Sequence, residues 1–218
     1  MFRKKLTGIF THLIDEINSQ PNNSDLKKLI YLQNYILSTV EYPNVKLIKL
    51  GNIKFPLCNF IKNKERNYFS VYGTLVNKNS FCFGIAKTIN KILNDPRINI
   101  KNQIIKGYIN SPLKGKIVHA WNLVYIENIP YHLDTTFDIT RNPFAIKKTF
   151  CLIESNKELP SVKSTKFYSE RFLVSDIKLK NSHLWNKKDC PECKKDYSRD
   201  EINRAQNELL LSGIKFDY

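Results

Sequence analysis

The sequence has no run of about 18 apolar residues, the length that a helix needs to cross the hydrocarbon core of a bilayer. The apolar stretch near the amino terminus is interrupted by His12, Asp15 and Glu16, and this interruption argues against a cleaved signal peptide. We therefore predict a cytoplasmic protein with no membrane-spanning segment.

Cysteine is also scarce, and its pattern does not indicate a disulfide framework. The five cysteines are odd in number and widely spaced, at Cys58, Cys82, Cys151, Cys190 and Cys193. Such usage fits a reducing compartment. Cys190 and Cys193 form a CxxC, but the sequence has no second CxxC and no HxxxH to complete four zinc ligands. Cys151, His183 or a symmetry mate are the further candidate ligands, and we predict loop cysteines with no metal and no cofactor.

Acidic residues are outnumbered by basic ones. The chain has 35 lysines and arginines against 20 aspartates and glutamates, a formal net charge of +15. Such a charge favours an anionic partner, such as nucleic acid, an acidic lipid surface or an acidic protein. The lysines are spread along the chain, and no nucleic-acid-binding motif accompanies them. We predict no specific nucleic-acid binding and keep an acidic partner as a candidate.

Hydrophobic residues recur at helical spacing in four segments. The first ends before Pro21, and the second covers residues 24–43, beginning with a serine cap and ending at a proline. The third covers residues 80–94 and stops at Asp-Pro, because proline cannot continue a helix. The last covers residues 198–213, from a capping box to a glycine.

Strand patterns follow the third helix. Residues 104–109, 117–126 and 131–137 are predicted to form three strands of an antiparallel sheet, and residues 167–174 a further strand. Helices followed by antiparallel strands indicate an α+β fold.

The chain is predicted to have three parts. Residues 1–22 form an N-terminal helix, residues 23–150 form the core, and residues 151–218 form an extension that packs on the core and ends in a helix. Within the core, residues 45–70 are predicted to be a loop with one strand or one short helix.

Cys82 stands at the beginning of the third predicted helix. A thiol attacks an amide as thiolate, and a helix N-terminus or a neighbouring imidazolium favours that form. Backbone N–H groups in the first turn can also face the oxyanion that forms. Gly84 is expected to leave open space beside the sulfur. Without further partners, a cysteine here would more often be a buried small hydrophobic residue.

His119 and Asp134 fall on neighbouring predicted strands. A two-residue turn at 127–128 or a four-residue loop at 127–130 places them on the same face of the sheet, and the tighter turn makes them diagonal neighbours. A three-residue loop without a bulge would instead place the two residues on opposite faces of the sheet. On a shared face, Asp134 fixes the imidazole tautomer and directs the other ring nitrogen toward Cys82.

Three segments resemble the signature segments of the transglutaminase-like superfamily: Phe-Cys-Phe-Gly-Ile-Ala at 81–86, His-Ala-Trp-Asn at 119–122 and Tyr-His-Leu-Asp-Thr-Thr at 131–136. Bacterial members read Cys-x-Gly-x-Ala, His-Ala-Trp-Asn and Trp/Tyr-x-x-Asp-x-Thr. The resemblance covers about residues 25–197, and the stretch after the core resembles that of Firmicute-type members. Phe137 departs from the pattern, since many members have tryptophan there.

The resemblance implies a papain-like α+β fold and a Cys-His-Asp triad. Cys82 would be the nucleophile, His119 the general base and acid, and Asp134 the residue that orients the imidazole. Tyr72 is a candidate oxyanion donor, and Trp121 a candidate wall of the site. The resemblance does not fix the reaction, since members include cross-linkers, peptidases, amidases and deglycosylating enzymes, and some are inactive.

We therefore expect cysteine-dependent acyl transfer on amide or peptide bonds of a protein or peptide substrate. Hydrolysis is favoured over cross-linking, because cross-linking needs an amine-binding site that the sequence does not identify. The alternative is a non-catalytic binding or scaffold module that uses the basic surface. A thiol-reactive electrophile that labels Cys82 far faster than Cys58 or Cys151 would discriminate between the two.

Overall fold

The computed structural model describes residues 2–20, 22–43, 47–56, 65–111, 115–141 and 170–213. Within these ranges, helices pack on a seven-stranded sheet, and the main hydrophobic core lies between them. A smaller apolar cluster involves Trp121, Leu123 and Cys193. Both parts of the α+β prediction, the helices and the largely antiparallel sheet, are confirmed.

The N-terminal part contains the two predicted helices, α1 (Phe2–Asn18) and α2 (Asp25–Thr39). Ser24 caps α2, because its hydroxyl accepts the backbone N–H of Lys27 at 3.4 Å. The apolar faces of both helices contribute to the main core.

The segment that follows contains, in order, β1 (Leu47–Leu50), β2 (Ile53–Pro56), a 3-10 turn (Glu65–Phe69) and α3 (Val71–Leu75). The first two strands form an antiparallel hairpin. We predicted one strand or one short helix in residues 45–70, whereas the described residues of this segment contain two strands and a 3-10 turn. Residues 57–64 lie outside the described ranges.

The third predicted helix is α4 (Cys82–Leu93). Its apolar stripe, which includes Ile85, Ile89 and Ile92, is buried in the main core. The helix packs on the strands that follow it, β3 and β4.

The central sheet contains β3 (Asn102–Ser111), β4 (Gly115–Ile126), β5 (Ile129–Leu133), β6 (Phe172–Val174) and β7 (His183–Trp185). One path of neighbouring strands is β1-β2-β4-β3-β7, while β5 pairs with the end of β4 and with β6. Among the strands of the described residues, every pairing is antiparallel except the short contact between β2 and β4, which is parallel. The sequence did not predict that contact.

A two-residue turn joins β4 to β5. Glu127 and Asn128 both have positive φ, at 52° and 63°, which is the backbone form of tight hairpin turns. The turn sets the register in which Asn122 lies opposite Leu133, so the tighter of the two predicted registers is confirmed.

The third predicted strand is only partly correct, because β5 ends at Leu133. Residues from Thr135 to Arg141 form a helix, α5, instead of continuing the strand. Thr-Thr-Phe has the β-branched and aromatic composition of a strand. The carboxylate of Asp134 nevertheless accepts the N–H of Phe137 at 3.1 Å, which begins a helix at this point.

The C-terminal part joins the central sheet through β6 and β7. It also contains α6 (Asp176–Leu179), a 3-10 turn (Lys187–Asp189) and α7 (Arg199–Leu211). The last helix has the predicted bounds: Ser198 accepts the N–H of Glu201 at 3.3 Å, and Gly213 follows with a φ of 89°. Among the described residues, no helix combines the length and apolarity that crossing a bilayer requires.

Candidate active site

Cys82 is the first residue of α4, and its side chain is almost fully buried, with 3% exposed. Phe81 is the N-cap residue and makes no side-chain cap hydrogen bond. The sulfur of Cys82 therefore lies at the positive end of the helix dipole, where the side chain of the N-cap residue accepts no backbone N–H. Three aromatic rings, with centroids 5.0 to 5.5 Å from that of Phe81, hold the start of the helix: Tyr42, Tyr68 and Phe69.

Gly84 has a different role from the predicted one. A Cβ atom at this position would lie 2.1 Å from Ser80 Oγ and 2.6 Å from the Tyr68 carbonyl oxygen. Ser80 is buried and donates its hydroxyl to that same carbonyl at 2.9 Å. The prediction of open space beside the sulfur was wrong, because the preceding loop fills the position and the glycine lets α4 pack against it.

His119 and Asp134 are in direct contact. Nε2 of His119 lies 2.7 Å from Oδ2 of Asp134, and both side chains are buried. His119 is in β4, and Asp134 directly follows β5, so the β4–β5 hairpin brings the two residues together. The contact predicted from strand parity is present.

Cys82 lies on the other side of the imidazole. Its charge and its hydrogen-bonding thiol both raise the pKa of His119, and Nδ1 is the ring nitrogen left for the sulfur because Nε2 faces Asp134. A further hydrogen bond ties helix to strand: Asn122 in β4 donates its amide to the carbonyl of Ala86 in α4 at 3.0 Å. The structure thus brings the three predicted triad residues together in the order Cys82, His119, Asp134.

The electrostatics of this group favour a charged imidazole. Burial lowers the pKa of His119, but the negative charges of Asp134 and Cys82 and the hydrogen bonds to both outweigh burial and raise the pKa to about 10. Burial raises the pKa of Asp134, whereas the charge of His119 and hydrogen bonds from His119 and His183 hold it well below its usual range. Asp134 is therefore a carboxylate, and His119 is stabilised as imidazolium.

A second histidine reaches the same carboxylate. Nε2 of His183, in β7, lies 2.8 Å from Oδ2 of Asp134, and the residue is buried. From the sequence, His183 was considered as a ligand beside the CxxC and as part of the stretch that resembles Firmicute-type members, and no contact with Asp134 was predicted. Its position depends on the pairing of β7 with β3, which no local pattern in a three-residue strand reveals.

Trp121 lies beside His119 on the same face of β4. The two rings stack with centroids 5.8 Å apart and an interplanar angle of 21°. The indole N–H donates to Nδ1 of His132 at 3.0 Å, and Nε2 of His132 lies 2.9 Å from Oδ1 of Asp176. Because an indole can only donate, His132 carries its proton on Nε2, and this second pair fixes the orientation of Trp121.

The CxxC lies behind this second pair. Cys193 is fully buried and Cys190 is half-buried. Burial, followed by the charge of Asp176, raises the pKa of the Cys193 thiol well above its ordinary value, which disfavours thiolate chemistry. Cys151, the other cysteine considered as a ligand, lies outside the described residues.

In the part of the chain that the structure describes, two groups of side chains have the proximity that a metal site needs: His119, Asp134 and His183, and His132, Asp176 and Cys193. In the first group, both Nε2 atoms face one carboxylate oxygen, as N–H donors would. In the second, the donor from Trp121 places the proton of His132 on Nε2, the nitrogen that faces Asp176. A protonated nitrogen cannot be a metal ligand, so this hydrogen bond argues against zinc at His132.

Tyr72 is in α3, the short helix before Cys82, and is half-buried. Its carbonyl accepts the N–H groups of Val76 and Asn77 at 2.9 and 3.2 Å. Its role as an oxyanion donor stays a prediction.

Two solved structures are similar to this chain. One is a TGase, with a TM-score of 0.48, 13% sequence identity and coverage of 98% of this chain and 51% of that one. The other is a Cytophaga hutchinsonii protein proposed to be a cysteine protease, with a TM-score of 0.40, 16% identity and coverage of 60% and 37%. This chain therefore spans about half the length of the TGase. No protein-family model and no curated protein matches it.

The order of elements is the one that the transglutaminase-like resemblance implies. The helix that begins at Cys82 is followed by the strand of His119 and then by Asp134 at the end of the next strand. The predicted α+β architecture, in which the helix that begins at Cys82 packs on a largely antiparallel sheet, is confirmed.

Proposed function

We propose that this protein is a cysteine-dependent enzyme that transfers the acyl group of an amide or peptide bond. The observation that carries the proposal is the buried 2.7 Å contact between His119 and Asp134, at an imidazole whose pKa Cys82, the first residue of α4, also raises. An oriented imidazole beside a cysteine at a helix N-terminus is an arrangement that converts a thiol into a nucleophile.

The first half of the reaction forms a thioester. The thiolate of Cys82 attacks the carbonyl carbon, a C–S bond forms, and the oxyanion faces backbone N–H groups at the start of α4. The imidazolium of His119 gives its proton to the amine nitrogen as the C–N bond breaks. Asp134 stabilises the imidazolium, while Trp121 forms a wall of the site and Tyr72 is a candidate oxyanion donor.

The second half releases the acyl group. His119, now neutral, takes a proton from water while the water oxygen attacks the thioester. The C–S bond breaks, and Cys82 leaves as thiolate beside the imidazolium. An amine in place of water would give transamidation. We favour hydrolysis, because it needs no second binding site.

The test is a screen of peptide and protein amides for release of ammonia or amine, run in parallel with incorporation of a fluorescent primary amine. Wild-type protein should release amine, and Cys82→Ala should not. Cys190→Ala is the matched control, because it removes a half-buried thiol outside the proposed triad. Undiminished release of amine by Cys82→Ala would exclude Cys82 as the nucleophile, and no release of amine by the wild type from any amide in the screen would favour the non-catalytic binding module.

A second readout does not need the substrate. Iodoacetamide should alkylate Cys82 faster than Cys190, although Cys82 is the more buried of the two, because a helix N-terminus and a neighbouring imidazolium favour the reactive thiolate form of a cysteine. Slower labelling of Cys82 than of Cys190 would contradict the proposed nucleophile.

A further inference from the structure

We propose that His183 is a positioning residue for the cysteine reaction: it holds the Asp134 carboxylate, ionised and oriented, against His119. The inference rests on the proposed function of Cys82. It assigns a role to a residue that the three-residue triad does not include.

The carboxylate of Asp134 is held at both oxygens. Oδ2 lies 2.7 Å from Nε2 of His119 and 2.8 Å from Nε2 of His183, and Oδ1 accepts the N–H of Phe137 at 3.1 Å. The carboxylate is 1% exposed, so water does not replace a donor that is lost. Rotation of the carboxylate would break at least one of the three bonds.

His183 is suited to be a neutral donor. Its Nδ1 lies 2.9 Å from Oγ of Ser182, whose hydroxyl can donate to it and leave the ring proton on Nε2, toward Asp134. Burial, with further contributions from the charges of His119 and Arg171, outweighs Asp134 and lowers the pKa of His183. A neutral ring stabilises the carboxylate without adding a second cation beside the imidazolium of His119.

The fold fixes His183 in place. Strand β7 pairs with β3, with His183 opposite Ile109 and Trp185 opposite Gly107. A Cβ atom on Gly107 would lie 2.2 Å from the carbonyl oxygen of Leu184, so the glycine is what lets β7 approach. The rings of Trp121 and His183 also pack against each other in a T-shaped arrangement, with centroids 5.0 Å apart.

Replacement of His183 by leucine would leave Oδ2 with one donor and put an apolar side chain beside a buried carboxylate. Both changes weaken the ionised form of Asp134 and loosen its orientation. Through Asp134, they reduce the stabilisation of the imidazolium of His119, and a weaker imidazolium activates the neighbouring Cys82 less as a nucleophile. A histidine with a merely structural role would change the stability of the fold without acting through Asp134.

The experiment is a double-mutant cycle on the alkylation rate of Cys82 by iodoacetamide at about pH 6, followed by mass spectrometry of the Cys82 peptide. His183→Leu should slow alkylation about tenfold, the factor expected for one lost hydrogen bond to a charged group. In an Asp134→Asn background, the same change should have little further effect. His183→Gln, which keeps an N–H donor near the position of Nε2, should recover most of the rate.

Asn34→Leu is the control for loss of a buried donor. Asn34 is in α2 and donates to Oε1 of Gln206 in α7 at 2.8 Å. Its replacement should lower the melting temperature, as His183→Leu does, and leave the alkylation rate of Cys82 unchanged. A slowdown in Asn34→Leu equal to that in His183→Leu would show that the rate follows stability and would overturn the positioning role.

Two further outcomes separate the inference from the proposed function. Suppose that wild-type Cys82 reacts faster than Cys190. If His183→Leu then has the wild-type rate of alkylation, or slows alkylation as much in the Asp134→Asn background as in the wild type, only the role of His183 is wrong. If wild-type Cys82 reacts no faster than Cys190, the proposed function fails, and the inference fails with it.

Discussion

The imidazole of His119 joins the two ends of the proposed triad, and its charge state follows from a competition between burial and partners. Burial alone would make the ring neutral, since a buried cation loses its hydration. Asp134 and Cys82 outweigh that effect. Removal of either partner would leave a buried charge uncompensated, which is why single substitutions here should have large effects.

The three triad residues are expected to act as a unit. Cys82→Ala and His119→Ala should each abolish nearly all amide hydrolysis, and the double variant should be little worse than either. Asp134→Asn should reduce the rate less, because the thiol and the imidazole both remain. Turnover measurements on purified variants would check this, and full activity of Cys82→Ala would exclude the nucleophile assignment.

The cysteines of the CxxC are expected to contribute to packing and not to bind a metal. Cys193 is fully buried in the smaller cluster and Cys190 is half-buried, so Cys193→Ser should lower the melting temperature more than Cys190→Ser. Elemental analysis of the purified protein should find no stoichiometric zinc. Zinc that is present in the wild type and lost in the double variant would show that the site binds metal.

At the scale of elements, the parts of the site that could be predicted are the local ones. The β4–β5 hairpin has a two-residue turn, and both of the loop lengths favoured from the sequence were even, so counting residues placed His119 and Asp134 on one face. The helix that begins at Cys82 could also be predicted, because its apolar stripe and its stop at proline are contained in one segment.

The parts that could not be predicted depend on contacts distant in sequence. Strand β7 has three residues, which are too few to show the alternating pattern of a strand in the sequence. Its pairing with β3 decides where His183 lies. Helix α5 has strand-like composition at its start, and the cap from Asp134 overrides it. The contact of Gly84 with Ser80 and Tyr68 likewise depends on how the preceding loop folds back.

The approach of β7 to β3 can be tested at Gly107. Gly107→Ala should destabilise the protein by roughly 1–3 kcal/mol, because its Cβ would meet the carbonyl of Leu184 and the ring of Trp121. Gly8→Ala is the matched control: Gly8 lies in α1 with nothing within 4 Å of an added Cβ, so alanine should stabilise the helix by about 0.5–1 kcal/mol.

Urea unfolding of both glycine variants would measure these changes. If Gly107→Ala unfolds at the wild-type midpoint, β7 tolerates displacement, and the close approach of the strands is not required for stability.

At the scale of the whole molecule, the C-terminal part and the core share one sheet. Strand β6 pairs with β5, next to Asp134, and β7 pairs with β3, opposite the strand of His119. The proposed site is therefore assembled from helix α4, the β4–β5 hairpin and the C-terminal strands together. Because the site joins these elements, a change in the charge of a site residue should alter both the geometry of the site and the stability of the whole fold.

The pH dependence of stability follows from His119. Its folded pKa of about 10 lies above the ordinary value of 6.5, so the folded protein retains a proton that the unfolded chain releases. The stability that His119 contributes is full below about pH 6.5 and is lost as the pH rises toward about 10. The difference in melting temperature between wild type and His119→Gln should therefore shrink over this range. A difference that is constant with pH would contradict the raised pKa.

Trp121 and Trp185 are the two tryptophans of the chain, and their rings meet with centroids 6.0 Å apart. Trp121 also contacts the rings of His119, His132 and His183, and Trp185 contacts that of His132. All tryptophan emission therefore arises beside the proposed active site. Loss of a proton from His119, or a covalent adduct on Cys82, should change the intrinsic fluorescence, so the protein has a built-in optical reporter that needs neither a label nor a known substrate.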